Sequence, residues 1–217
     1  MIVVTGAGGS LGPHVARALA ERGHELCCCD TDTSRLEGLP GEHDAVDLLD
    51  EAATREWAAS KRGVTGVAHL VGGWRGGTPL PEAPLEDWAL LHDLLIRTVQ
   101  HTTRAFAPAL KEAGDRGRFV LVSSKQAQAP TSTNAAYAAA KAAAEAWTLA
   151  FADELAATGG GANVLVVNAI VTPEMREQNP GKSYATFTDA RHMASAIAWM
   201  LSEEAVAMNG QRVSLHG

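Results

Sequence analysis

The sequence predicts an α/β fold: a doubly wound parallel sheet of about seven strands with helices on both faces. Three observations carry this. Apolar runs of strand length recur along the chain, segments of helical pattern separate them, and the first run ends in a glycine-rich turn that opens a helix. Strands that are apolar throughout are buried on both faces, which requires helices above and below a parallel sheet. Right-handed crossovers then wind the chain to both sides.

In chain order, Met1–Thr5 (MIVVT) is the first strand and His14–Arg22 the first helix. Glu25–Asp30 is the second strand and carries the consecutive Cys27, Cys28 and Cys29. Neighbours on a strand point to opposite faces, so these thiols make a poor chelate and a poor disulfide set; they read as small apolar strand residues. A weaker strand pattern lies at His43–Val46, and Glu51–Lys61 is helical. The strand Gly66–Val71 runs into a Gly/Pro-rich loop, Gly72–Pro84. Leu85–Ala113 is a long helical stretch, expected to contain a bend, before the strand Arg118–Ser123. The alanine-rich helix Ala135–Ala157, the strand Asn163–Ala169, a loop at Thr172–Asp189, the helix Ala190–Leu201 and the strand Arg212–Leu215 complete the pattern. His69, inside an apolar strand, reads as a satisfied core histidine.

With 217 residues, 46% hydrophobic and 20% charged, the chain suits a single domain over residues 1–217 that needs no disulfide or metal staple. A net charge of −7 with scattered Lys and Arg argues against nucleic acid or an anionic membrane surface. No run approaches a spanning helix, and the apolar start is too short for a signal segment. With reduced cysteines, these features set the expectation of a cytoplasmic protein. No His/Cys/Asp/Glu grouping has metal-ligand spacing along the sequence, so no metal is expected.

Thr5–Gly12 places Gly6, Gly9 and Gly12 in G-x-x-G-x-x-G spacing, with Ser10 and Leu11 inside the turn and Pro13 after it. Glycines let a backbone approach a pyrophosphate, and the free N–H groups of the following helix point at it. Pro13 costs nothing in the first turn, where an N–H has no helical partner. Asp30 ends the second strand eighteen residues after Gly12. A carboxylate there accepts hydrogen bonds from ribose hydroxyls and repels a 2′-phosphate, and no basic residue follows until Arg35. This favours NAD over NADP. Asp47 and Leu48 fall where an adenine would be met.

Tyr137 and Lys141 are four residues apart and share a helix face. An ammonium near a phenol favours phenolate, which suits proton exchange with a carbinol oxygen near neutral pH. Ser124, at a strand end, can bind the same oxygen. Trp74, beside the glycine pair Gly72–Gly73, and Gln126 are candidates for substrate contact. No G-x-S-x-G surrounds Ser124, which argues against a hydrolase nucleophile.

Together, Thr5–Gly12, Asp30, Asp47, Val120–Ser124, Tyr137/Lys141 and Val167–Ala169 resemble the short-chain dehydrogenases/reductases over nearly the whole chain. The resemblance implies a Rossmann-type fold and a bound nicotinamide dinucleotide, touched also by Gly72. It implies Tyr137 as acid/base, Lys141 as its partner and a ribose ligand, and Ser124 as carbonyl anchor. Several positions depart from the family. Leu70-Val71-Gly72-Gly73 stands where Asn-Asn-Ala-Gly is usual, and Leu95 where a relay asparagine is usual. The segment after Ile170 is short, with Thr172 the remaining candidate for the carboxamide.

The expectation is an NAD(H)-dependent oxidoreductase acting on a small carbonyl or alcohol. The alternatives are a dinucleotide-binding sensor or subunit without turnover, and an NAD-retaining epimerase or dehydratase. A homo-oligomer built on the two long helices is expected, as is a cleft left open, or closed by a neighbouring subunit, by the short segment of about residues 171–189.

Overall fold

The computed structural model describes residues 1–215. Seven parallel strands form the central sheet: β1 (Ile2–Thr5), β2 (Leu26–Asp30), β3 (Glu42–Ala45), β4 (Gly66–His69), β5 (Arg118–Ser124), β6 (Gly161–Val167) and, at the far edge, Arg212–Ser214. Their spatial order is β3-β2-β1-β4-β5-β6 followed by the Arg212–Ser214 strand. The strand order reverses between β1 and β4, and the carboxyl ends of the strands flank that point. In such sheets a ligand crevice lies there. This is a Rossmann-type α/β fold.

Helices α1 (Gly12–Glu21) and the late helix Ala190–Met200 cover one face, where Val15, Leu19, Met193 and Ile197 pack on Val4 and Leu165. The other face is covered by α2 (Glu51–Ser60), α4 (Thr98–Glu112) and α5 (Ala135–Ala156), with Trp57, Phe106 and Phe151 over Val3, Phe119 and Val164. The three cysteines divide as strand alternation requires: Cys28 enters the first core, Cys27 and Cys29 the second. All three are buried free thiols.

The long helical stretch is not one regular helix. After α3 (Glu86–His92) the chain makes a π-helical turn over Asp93–Arg97 before α4. A second difference concerns the segment expected as a loop after Val171. It folds into helix α6 (Pro173–Gln178), flanked by the short strands β7 (Ile170–Val171) and β8 (Thr188–Asp189), which pair in parallel. Following β8, Ala190–Met200 is α7 and the edge strand Arg212–Ser214 is β9. Among the described residues no helix is long and apolar enough to cross a membrane.

Candidate active site

Two hollows meet along the carboxyl edge of the sheet. One of about 220 Å³ is bounded by Asp30, Asp47, Leu48 and Thr98. The other, about 830 Å³, is bounded by Ser124, Gln126, Tyr137 and Lys141, with Trp74 and Ser10. Gly6, Gly9, Leu70, Val71 and Gly72 border both, so the two form one cleft.

The glycine turn shapes the junction. Gly6 adopts φ +68°, and a Cβ there would stand 2.9 Å from the Val71 nitrogen. At Gly8 a Cβ would reach to 2.8 Å from Asp30 Oδ2. Gly12 lies behind the turn, where a Cβ would come within 2.0 Å of the Ala7 carbonyl oxygen, so only glycine lets α1 start this close to β1. Leu11, the residue before α1, offers no side-chain cap. Pro13 has no N–H, and those of Gly12, His14 and Val15 donate to the Gly9 and Leu11 carbonyls at 3.2 Å, so the start of α1 meets the cleft with its N–H groups engaged by backbone. The close backbone of the glycine turn and the long cleft fit a dinucleotide.

Asp30 is buried beneath the smaller hollow. Its Oδ2 accepts from the Gly8 N–H at 3.0 Å, and Oδ1 accepts from the Thr31 N–H at 2.9 Å. The fold also brings Arg35 back onto it: Nη1 lies 2.8 Å from Asp30 Oδ1 while Nη2 donates to the Gly8 carbonyl at 3.2 Å. A basic group therefore stands beside the carboxylate, which spacing along the chain did not reveal. Asp47 lies at the rim and accepts from the Leu49 N–H at 2.9 Å, and the Leu48 carbonyl is held by His101 Nδ1 at 2.8 Å.

The larger hollow holds the candidate catalytic side chains. Ser124 ends β5, and its side chain and the Tyr137 phenol line the same hollow. Ser124 Oγ accepts from the Gln126 N–H at 3.2 Å. One turn along α5, the buried Lys141 donates to the Val122 carbonyl at 2.9 Å. Burial pulls the Lys141 ammonium down to about 8, against the upward pull of Glu145. The Tyr137 phenol is pushed above its ordinary value by burial, and the Ser124 hydroxyl pulls the other way. The lowering expected from Lys141 is not what sets the phenol: burial governs it, and the opposing pull is that of Ser124.

Other expectations are corrected or refined. Thr172 borders neither hollow; it is buried, and its Oγ1 accepts from the Met175 N–H at 3.2 Å as the N-cap of α6. Capping uses the hydroxyl only as an acceptor; it is the absence of Thr172 from both linings that separates it from the cleft. Leu95 sits in the π turn and packs with Leu91, Ile96 and Ala140, an apolar plug. His69, fully buried, ties β4 to β1 and α4: its Nδ1 meets Thr5 Oγ1 at 2.9 Å and its Nε2 meets Thr98 Oγ1 at 3.3 Å. The segment 171–189 does not leave the cleft bare: Lys182 and Phe187 line it.

Two groupings escaped spacing arguments. Glu145, buried one turn after Lys141, accepts from Ser123 Oγ at 2.6 Å and from Arg212 Nε at 2.6 Å. Cys27, Glu42 and Asp44 converge at the β2–β3 edge, but Lys61 Nζ already neutralises the two carboxylates, at 3.0 and 2.6 Å.

Comparison with known proteins settles the family. The family model for short chain dehydrogenases matches residues 1–183. The chain belongs to the short-chain dehydrogenase family. It is 28% identical over 246 aligned positions to a (3R)-3-hydroxyacyl-CoA dehydrogenase of Rattus norvegicus, covering 100% of this chain and 95% of the relative. Its fold superposes on sorbitol-6-phosphate 2-dehydrogenase of Erwinia amylovora with a TM-score of 0.88 at 20% identity, covering 99% and 97% of the two chains. A gluconate 5-dehydrogenase of Burkholderia cenocepacia, solved with NADP and tartrate, gives 0.85 at 22% identity, covering 99% and 92%. The oxidoreductase fold and its nicotinamide dinucleotide are thus properties of the short-chain dehydrogenase family to which this chain belongs.

Proposed function

We propose that this family member is an NAD(H)-dependent oxidoreductase that interconverts a carbonyl and an alcohol. The carrying observation is that Ser124, Tyr137 and, one turn on, Lys141 line one hollow of a cleft that runs to the glycine turn. A bound nicotinamide dinucleotide supplies or takes the hydride. Tyr137 gives the substrate oxygen a proton in reduction and takes it back in oxidation. Ser124 holds that oxygen by a second hydrogen bond, which strengthens as negative charge develops on it. Burial keeps the phenol protonated, the form that donates, and the Lys141 cation favours the phenolate left behind.

NAD rather than NADP is supported by Asp30, a buried carboxylate at the end of β2 that would repel a 2′-phosphate. A second reading, a dinucleotide-binding protein without turnover, is favoured by Leu95, which offers no polar group for a proton relay. Tyr137→Phe decides between them. In a wild-type enzyme that oxidises NADH with a carbonyl substrate, Tyr137→Phe is expected to lower kcat by about 100-fold or more while leaving NADH affinity within about twofold. Undiminished turnover removes Tyr137 from the proposed role. Absence of turnover across a broad carbonyl panel, with NADH still bound, supports the second reading. We also propose homo-oligomerisation through the face shared by α4 and α5, where Trp147 and Phe151 line an apolar hollow.

A further inference from the structure

The charge inventory of the larger hollow narrows the substrate. Its lining contains no Asp or Glu and two ammonium groups, Lys141 and Lys182. Lys141 is buried under Tyr137 and bound to a backbone carbonyl. Lys182 is different: it is exposed, comes from the segment between α6 and β8, and, among the described residues, has no carboxylate within ion-pair distance. In a chain of net charge −7, this cation stands in a hollow whose lining has no acid.

Its position is built rather than incidental. Lys182 Nζ stands 5.4 Å from the ring centroid of Tyr184 and 5.7 Å from that of Phe187. The two rings meet edge to face, 5.2 Å apart at 88°. Tyr184 is buried and its hydroxyl donates to the Met175 carbonyl at 3.0 Å. The segment is tied down at its far end, where the Thr188 N–H donates to the Ala169 carbonyl at 2.6 Å and Asn168 Nδ2 to the Thr186 carbonyl at 2.8 Å. Aromatic faces attract an ammonium without neutralising it, so the stem is held while the charge stays available.

We propose that Lys182 anchors an anionic group on the substrate, a carboxylate or a phosphate, so that the enzyme acts on acidic hydroxy and oxo compounds in preference to neutral ones. This rests on the reading that Ser124 and Tyr137 hold the reacting oxygen. The anion and the carbonyl would then be gripped at two points of one cleft, which orients the carbon to be reduced.

The test pairs acids with uncharged twins: acetoacetate with methyl acetoacetate, and dihydroxyacetone phosphate with dihydroxyacetone. Binding to the enzyme–NADH complex is read from the fluorescence of bound NADH, and NADH oxidation is followed separately. At least one acid is expected to bind about tenfold or more tightly than its twin, the pair identifying carboxylate or phosphate, with the preference eroding as salt is raised. Lys182→Gln should abolish the preference, Lys182→Arg should retain most of it, and the Kd for NADH should not change. Acids bound no better than their twins, a preference that survives in Lys182→Gln, or an equal loss of NADH affinity, which would put Lys182 on the cofactor's pyrophosphate, would each overturn the proposal. The two readings fail separately: Lys182-dependent acid binding with no turnover across a broad carbonyl panel removes the oxidoreductase reading and leaves the anchor, while equal binding and turnover of acid and twin does the reverse.

Discussion

Asp30 and Arg35 are ion-paired at 2.8 Å, and on the proposed reading they would act in opposite senses on a 2′-phosphate. Specificity of this kind depends on the repulsive element as much as on the attractive one. Asp30→Ala is expected to weaken NADH binding by about tenfold and, by releasing the half-exposed Arg35, to strengthen NADPH binding. Asp30→Ala combined with Arg35→Ala should lose the NADPH gain; titrating both nucleotides by fluorescence checks it. Equal affinity of the wild type for the two nucleotides would show that Asp30 does not discriminate. Glu145 governs a second balance. It pulls the Lys141 ammonium up against burial. Glu145→Gln therefore lets Lys141 lose its proton at lower pH, and the alkaline limb of the kcat/KM profile should move down from the region of pH 8. An unmoved limb separates that limb from Lys141.

His69 links three elements, β1 through Thr5, its own β4, and α4 through Thr98. Burial holds its imidazole neutral, down to about 3 from the ordinary 6.5. The unfolded chain takes up a proton below 6.5 that the folded chain refuses until about 3. The stability contributed by neutral His69 is therefore complete above pH 6.5 and is lost as pH falls through that window, by up to about 1.4 kcal/mol per pH unit. Urea unfolding between pH 7 and 4 should show that slope, reduced in His69→Gln; equal slopes would contradict it. The elements themselves were legible: the β1–glycine turn–α1 unit and α5 follow from local pattern. The π turn was not, because the same apolar spacing serves an α-helix with a bend and a helix with one widened turn. Nor was α6, since Thr172 looked like a ligand for the carboxamide, and in the fold it is the N-cap of that helix.

Across the whole molecule, the two cores and the cleft come from one sheet whose strand order reverses between β1 and β4. On the outer face, Trp147 remains 37% exposed and Phe151 and Ala107 share its hollow. If that face joins copies, Ala107→Glu with Ala150→Glu should convert the assembly to monomers in light scattering, with the fold retained by circular dichroism. A monomeric wild type removes the proposal. The fold class, the glycine turn, Asp30 and the Ser124, Tyr137 and Lys141 set were readable from sequence, because each rests on spacing within one element or on the order of strands and helices. Arg35 against Asp30, Glu145 between Ser123 and Arg212, His69 between two threonines, and Lys182 in the cleft were not. Those contacts join residues whose separation along the chain is set by crossovers and turns, and a one-dimensional pattern carries no record of which side chains such turns bring within hydrogen-bond reach.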